Sequence, residues 1–162
     1  MKNVLILEDD AYPVVDIADR AKAFLERVPD DWDCLMLGAQ HLRAPTPVCD
    51  GVVRCVASNR THAFAVRGRM MQTLRNVWGL NKTDHCDLVL SSLMRVFKAY
   101  SPDPLLIGQD GGESDVTNRL ERLRFLAPTQ AEQIAETDKR HAVEKLLVHV
   151  TPPARSVSRV PV

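Results

Sequence analysis

Residues 4–10 read Val-Leu-Ile-Leu-Glu-Asp-Asp, an apolar run that ends abruptly in three acids. A short, continuous apolar run that contains β-branched residues predicts a strand buried on both faces. Residues 14–28 place apolar side chains at steps of three and four, which predicts a helix, and residues 32–38 form a second apolar run. Strand, helix and strand in this order predict a parallel pair in an α/β sheet, with the acids at the carboxyl end of its first strand.

The middle of the chain predicts a hairpin, further strands and two helices. The dipeptide Asp50-Gly51 lies between apolar runs and favours a type I′ turn. Apolar runs predict short strands at 52–56, 62–66 and 104–107. Tyr12-Pro13 predicts an interruption of regular secondary structure. Helical spacing of apolar residues predicts helices at 70–78 and at about 85–97.

The C-terminal part predicts helix rather than sheet. From Asp115 to about residue 150 apolar residues recur at helical spacing, and Arg119 belongs to the polar side of that pattern. Prolines, arginines and serines after Thr151 predict a frayed tail. The predicted organisation is one α/β domain at 1–127, a C-terminal helix at 128–150 and a flexible tail at 151–162.

Charge and composition restrict the classes of partner and the location of the protein. Lys plus Arg and Asp plus Glu both number 21, and this balance disfavours nucleic acid, because phosphate backbones require a basic excess or patch. No apolar run approaches the roughly 20 residues that cross a bilayer, and no signal-peptide cleavage site follows the first apolar run. The four cysteines form no C-x-x-C pair, which favours reduced thiols in a cytoplasmic protein.

Three acids at the end of a strand require a positive partner, because like charges at close range repel. Alternation along a strand places Glu8 and Asp10 on one face and Asp9 on the other. Oxygen ligands at that spacing suit Mg²⁺ or Mn²⁺, with a diphosphate completing the coordination. The alternative is a structural acidic cluster that solvates the strand end or caps the next helix.

The opening also resembles a response-regulator receiver domain, in which a first strand ends in acids that hold Mg²⁺. A receiver requires a phospho-acceptor Asp at the end of a later strand. Here the next apolar run ends in Gly38-Ala39, with no acid. It also follows the first strand too closely to leave room for an intervening strand and helix. The receiver interpretation is therefore disfavoured.

Four segments, in order, resemble glycosyltransferase family 25, the lipopolysaccharide biosynthesis type. They are residues 5–11 with Glu8-Asp9-Asp10, residues 32–38 with Trp32-Asp33, residues 60–66, in which Phe64 replaces the usual Tyr, and residues 100–109 followed by Ser114-Asp115. The resemblance implies a GT-A-like, truncated Rossmann-like mixed sheet flanked by helices, with a helical C-terminal segment. It also implies inverting transfer of a sugar from a nucleotide diphosphate sugar to the hydroxyl of a glycan or other acceptor.

The resemblance also implies the metal and catalytic residues. Glu8 and Asp10 would hold Mn²⁺ or Mg²⁺, which bridges the donor diphosphate. Asp84 would be the general base that takes the proton of the acceptor hydroxyl, and Asp87, one helical turn on, is a second candidate. The alternative for Asp84 is a plain N-cap of the helix that follows it.

The substrate-binding candidates are polar residues in or beside the matched segments: Asp9, His62, Gln109 and Ser114. Gln109 and Ser114 would line the acceptor or donor pocket, and the alternative for both is an ordinary polar loop residue. His62 stands in an apolar strand, so a packed histidine is the alternative to a ligand contact for this side chain.

The family normally has roughly another half-domain before the Glu-Asp-Asp motif, which supplies the first strands of the sheet and most contacts to the nucleotide. Two hypotheses follow for this chain. It is a metal-dependent glycosyltransferase, or it is a non-catalytic GT-A-like binding module or half-enzyme that needs a partner chain. In both cases a second copy or a partner chain is expected to cover the open edge of the sheet.

Overall fold

A six-stranded mixed sheet forms the centre of the computed structural model, which describes residues 3–80, 85–109, 113–114 and 119–120. The strands in these ranges are β1 (Asn3–Leu7), β2 (Ala11–Pro13), β3 (Cys34–His41), β4 (Thr46–Cys49), β5 (Val52–Arg54), β6 (Ser58–Arg67), β7 (Ala99–Pro102), β8 (Ile107–Gln109), β9 (Glu113–Ser114) and β10 (Arg119–Leu120). The helices there are α1 (Ile17–Arg27), α2 (Gly68–Leu80) and α3 (Cys86–Leu93). The predicted α/β class is thus confirmed.

The strand order in the main sheet is β1-β6-β3-β7-β5-β4. Strands β3 and β7 are parallel, whereas every other neighbouring pair is antiparallel. The prediction that β1 and β3 are paired neighbours is wrong, because β6 lies between them and pairs with both. The position between two strands suits β6, which buries Ala63 on one face and Phe64 on the other.

Strand β1 is an edge strand and not a strand buried on both faces, as its apolar sequence predicts. Val4 and Ile6 pack against the core beneath α2 and α3. On the opposite face, Leu5 and Leu7 remain 56% and 54% exposed. Helix α1 does not cover them, because its buried Phe24 packs over strands further into the sheet.

Several local predictions are also corrected. In the β4–β5 hairpin Gly51 has a positive φ of 73° but Asp50 does not, so the turn is not of type I′. Residues 11–13 do not interrupt the secondary structure as predicted, because they form β2 and pair with β8. Strand β8 begins at Ile107, whereas the apolar run predicts a strand at 104–107.

Helix α3 begins after an N-cap at His85, so the assignment of the cap to Asp84 is wrong, and Asp84 itself lies outside the described residues. The helix ends at Leu93 rather than near residue 97. The helix predicted from Asp115 is also wrong at Arg119–Leu120, which form β10 and pair with Glu113–Ser114. The predicted helix at 128–150 and the tail at 151–162 lie outside the described residues.

Two apolar clusters fill the two faces of the sheet. The larger lies between the sheet and helices α2 and α3 and includes the fully buried Phe64 and Met70. The smaller lies beneath α1 and includes Phe24 and Leu35. The four cysteines are free thiols, and within the described ranges no helix is long and apolar enough to cross a membrane.

Candidate functional site

The three acids lie in a turn at the end of β1. Strand β1 ends at Leu7, and the N–H of Glu8 still donates to the carbonyl of His62 at 2.9 Å. The N–H of Ala11 then donates to the carbonyl of Glu8 at 3.1 Å, which closes a turn over Asp9 and Asp10. Strand alternation therefore does not orient these carboxylates, and side-chain hydrogen bonds orient those of Glu8 and Asp10.

The carboxylate of Asp10 is held from one side. The amide Nε2 of Gln109 donates to Asp10 Oδ2 at 2.7 Å. This contact follows from the pairing of β2 with β8, which sets Ala11 opposite Gln109. The other oxygen, Oδ1, is buried and has no hydrogen-bond partner among the described residues. A buried acceptor without a donor costs about 1–3 kcal/mol, so Oδ1 is suited to a cation or to a donor group of a ligand.

Arg60 fixes the orientation of that amide. Its guanidinium donates to Gln109 Oε1 and, through Nε, to Gln40 Oε1 at 3.3 Å. A guanidinium has no acceptor, so the oxygen of Gln109 must face Arg60 and the NH₂ group must face Asp10. Arg60 adopts the left-handed conformation, with φ at 71°, which costs a non-glycine residue about 1–2 kcal/mol. The sequence patterns assign no role to Arg60, whereas in the structure its guanidinium orients the amide of Gln109.

Paired substitutions at Arg60 separate the loss of the guanidinium from the backbone strain of the positive φ. Arg60→Met and Arg60→Gly both remove the guanidinium, but only glycine accepts the positive φ without strain. We expect Arg60→Met to destabilise the fold by about 2 kcal/mol and Arg60→Gly to be about 1 kcal/mol more stable than Arg60→Met, both measured by urea denaturation. Equal stability of the two variants would contradict strain at this residue.

The carboxylate of Glu8 is held by a hydroxyl of strand β6. The hydroxyl of Thr61 donates to Glu8 Oε1 at 2.6 Å. The same hydroxyl lies 3.8 Å from the Sγ of Cys86, the first residue of α3. The start of α3 is therefore close to the acidic turn, and Asp87 belongs to this first helical turn. Its Oδ1 accepts the N–H of Leu88 at 2.8 Å.

His62 lies beneath the site and is completely buried. Its Nε2 lies 3.2 Å from the carbonyl oxygen of Ile107, so it links β6 to β8. Burial lowers the pKa of this imidazole, although the Ile107 carbonyl and the nearby Asp10 act in the opposite direction. Gly38 makes this arrangement possible, because a Cβ at that position would lie 2.0 Å from Nε2 and 2.3 Å from the Ile107 oxygen. This is the environment of a packed histidine.

The structure thus brings Glu8, Asp10 and Gln109 together through Arg60 and Thr61, with Asp87 on the adjoining helix. Asp9 is exposed in the same turn. Asp84 and the side chain of Ser114 lie outside the described part of the chain. Within that part, no group of three or more His, Cys, Asp or Glu side chains forms a metal cluster.

Sequence reasoning missed Arg60, Thr61 and Gln40 as site residues. Single polar residues within a strand are ordinary, so the types of these three residues carry no signal. Comparison of the chain with protein-family models, with curated proteins and with solved structures finds no match.

Proposed function

We propose that this chain is a metal-dependent glycosyltransferase of the family 25 type with a GT-A-like fold. It would transfer a sugar from a nucleotide diphosphate sugar to an acceptor hydroxyl, with inversion at the anomeric carbon. The observation that supports this most strongly is the Asp10 carboxylate, which is oriented by Gln109 through one oxygen and buried without a donor at the other. It lies in the acidic turn that resembles the metal motif of that family.

The residues of this turn fit a hard divalent cation. Mg²⁺ prefers oxygen ligands and is commonly bound by one or two carboxylates, with substrate phosphates and water completing the shell. Glu8 and Asp10 supply two carboxylates, each held by a neutral hydrogen-bond donor. A third acid is not required, so Glu8 and Asp10 are the residues that would hold Mn²⁺ or Mg²⁺.

The chain's own residues would prepare the reaction by orientation. Thr61 and Gln109 fix the two carboxylates before the substrate arrives, so little reorganisation is needed when charge develops. A bound cation would offset the negative charge on the departing nucleoside diphosphate. Asp84 would accept the proton of the acceptor hydroxyl, and Asp87, on the adjoining helix, is the second candidate for this role.

Ligand-dependent thermal stability tests the proposal. We expect one member of a panel of nucleotide sugars, with Mn²⁺, to raise the melting temperature by about 5–10 °C at roughly a hundred times its dissociation constant. Asp10→Ala should abolish this shift, because it removes the oriented carboxylate. The matched control is Glu26→Ala, which removes an exposed acid on α1 and should leave the shift intact.

Two results would contradict the proposal. One is a cooperatively melting protein that no nucleotide sugar stabilises in the presence of Mn²⁺. The other is an Asp10→Ala variant that retains the full metal-dependent shift. A donor-dependent shift without sugar transfer to any tested acceptor would instead indicate the non-catalytic binding module, and an assay of nucleoside diphosphate release distinguishes the two.

A further inference from the structure

Strands β1 and β3 end at the same side of the main sheet. Both are antiparallel to β6, which lies between them, so β1 and β3 run in the same direction. The acidic turn follows β1 at this side, and Gln40 lies one residue before the end of β3. Strand β6 begins here with Ser58, so its first residues lie between the acidic turn and the end of β3.

The pairing of β3 with β6 is irregular at this point. Between its pairs with Gly38 and Gln40, β6 inserts residues 60–62 opposite a single residue of β3. A bulge of this kind redirects side chains and is common beside active sites. Cross-strand partners share one face of a sheet, so the amides of Gln40 and Asn59 lie on the same face. From within the bulge, Arg60 Nε donates to Gln40 Oε1 at 3.3 Å, which brings the guanidinium to that face.

Asn59 carries a buried acceptor oxygen that the fold does not use. Its Oδ1 is buried and has no hydrogen-bond partner among the described residues, as is also true of Asp10 Oδ1. The guanidinium of Arg60 connects the surroundings of these two oxygens. It donates to Gln40, the cross-strand partner of Asn59, and to Gln109, whose amide holds Asp10. The two oxygens therefore flank one hydrogen-bonded network at the side of the sheet where the candidate site lies.

We propose that Asn59 is a specificity-determining residue, whose amide oxygen accepts a hydrogen bond from a hydroxyl group of the nucleotide sugar. This role rests on the proposed function and names a part of the substrate that the site recognises. The neighbouring Arg60 disfavours a cation at this oxygen, and ionised phosphates offer only acceptors, so the donor is a neutral hydroxyl. With the diphosphate on the cation at Glu8 and Asp10, the hydroxyl-bearing ribose or transferred sugar lies towards Asn59. An analogue without that hydroxyl leaves the buried oxygen unpaired and is rejected.

Urea denaturation of the free protein tests whether the fold itself needs this oxygen. Asn59→Leu replaces the amide by an apolar group of similar shape and should not lower the urea midpoint, because it removes a buried acceptor that lacks a donor. The matched control is Gln40→Met, which removes a buried amide on the same face. It should lower the midpoint, because the guanidinium of Arg60 loses an acceptor. An Asn59→Leu variant destabilised as much as Gln40→Met would show that the oxygen has a structural role, which overturns the proposal.

Titration calorimetry with Mn²⁺ tests the contact to the substrate. The probes are the nucleotide sugar that stabilises the native protein and the free nucleoside diphosphate of the same base. We expect Asn59→Leu to weaken binding of the nucleotide sugar by about tenfold, the effect of one lost hydrogen bond. Asn59→Asp, which keeps an acceptor oxygen, should bind close to the native value.

The two probes distinguish the source of the hydroxyl. A loss confined to the nucleotide sugar assigns it to the transferred sugar, and an equal loss for the nucleoside diphosphate assigns it to the ribose. Native affinity in Asn59→Leu, or an Asn59→Asp variant as weak as Asn59→Leu, overturns the role of Asn59 and leaves the proposed function standing. A native protein that binds no nucleotide sugar contradicts the proposed function and the role of Asn59 together.

Discussion

Replacing Gly38 by alanine is expected to destabilise the fold by about 3 kcal/mol and to lower the melting temperature by roughly 10 °C. The added Cβ would lie 2.3 Å from the backbone oxygen of Ile107 and 2.0 Å from Nε2 of His62. Neither neighbour can yield easily, because one is backbone and the other is a fully buried imidazole. The substitution must therefore separate β3 from β8 or break the contact between His62 and Ile107.

Gly79→Ala is the matched control for this prediction. Gly79 lies in α2, and a Cβ there would meet nothing within 4 Å. Because glycine is a poor helix former, the same substitution should stabilise the protein by about 0.5–1 kcal/mol. Urea denaturation of both variants measures the two effects, which should have opposite signs. A Gly38→Ala variant as stable as the native protein would contradict the packing of His62 against β3.

Acidification from about pH 7 to about pH 5 is expected to destabilise the folded state by about 2 kcal/mol through His41 alone. Burial lowers the pKa of His41 from 6.5 to about 4, while its Nδ1 lies 2.8 Å from the hydroxyl of Ser58. The folded state therefore keeps this imidazole neutral at a pH where the unfolded chain binds a proton. Stability is retained above about pH 6.5 and falls until about pH 4, where the folded state also protonates.

The pH dependence of urea denaturation in His41→Gln isolates this contribution. Glutamine can still contact Ser58 but does not titrate, so the loss of stability between pH 7 and pH 5 should shrink by about 2 kcal/mol relative to the native protein. An unchanged slope in His41→Gln would show that the folded state binds this proton over the same pH range as the unfolded chain.

Local sequence patterns predicted the elements whose residues contact each other within one segment. The amphipathic spacing before Pro29 predicted α1, and the two apolar runs before the acids and after Trp32 predicted β1 and β3. The position of β6 between those strands could not be predicted in this way. It depends on pairing between segments far apart in sequence, and the local pattern of each segment is compatible with several strand orders.

The candidate site could also be predicted only in part, because some of its contacts join segments far apart in the sequence. Glu8 and Asp10 stand out because acids directly after an apolar strand are unusual and repel each other. Arg60 does not stand out, since its role arises only when β8 brings Gln109 beside it. The buried oxygen of Asp10 is likewise a property of three segments together and of none alone.

The position of β1 in the sheet has a consequence for synthesis of the chain. Asn3 pairs with Arg67, so the sheet partner of β1 leaves the ribosome only about 60 residues after β1 itself. During that interval the nascent chain exposes an apolar strand on both of its edges. The partner strand of β2 is synthesised later still, because Ala11 pairs with Gln109. The acidic turn therefore leaves the ribosome about 100 residues before the β2–β8 pairing that fixes its geometry can form.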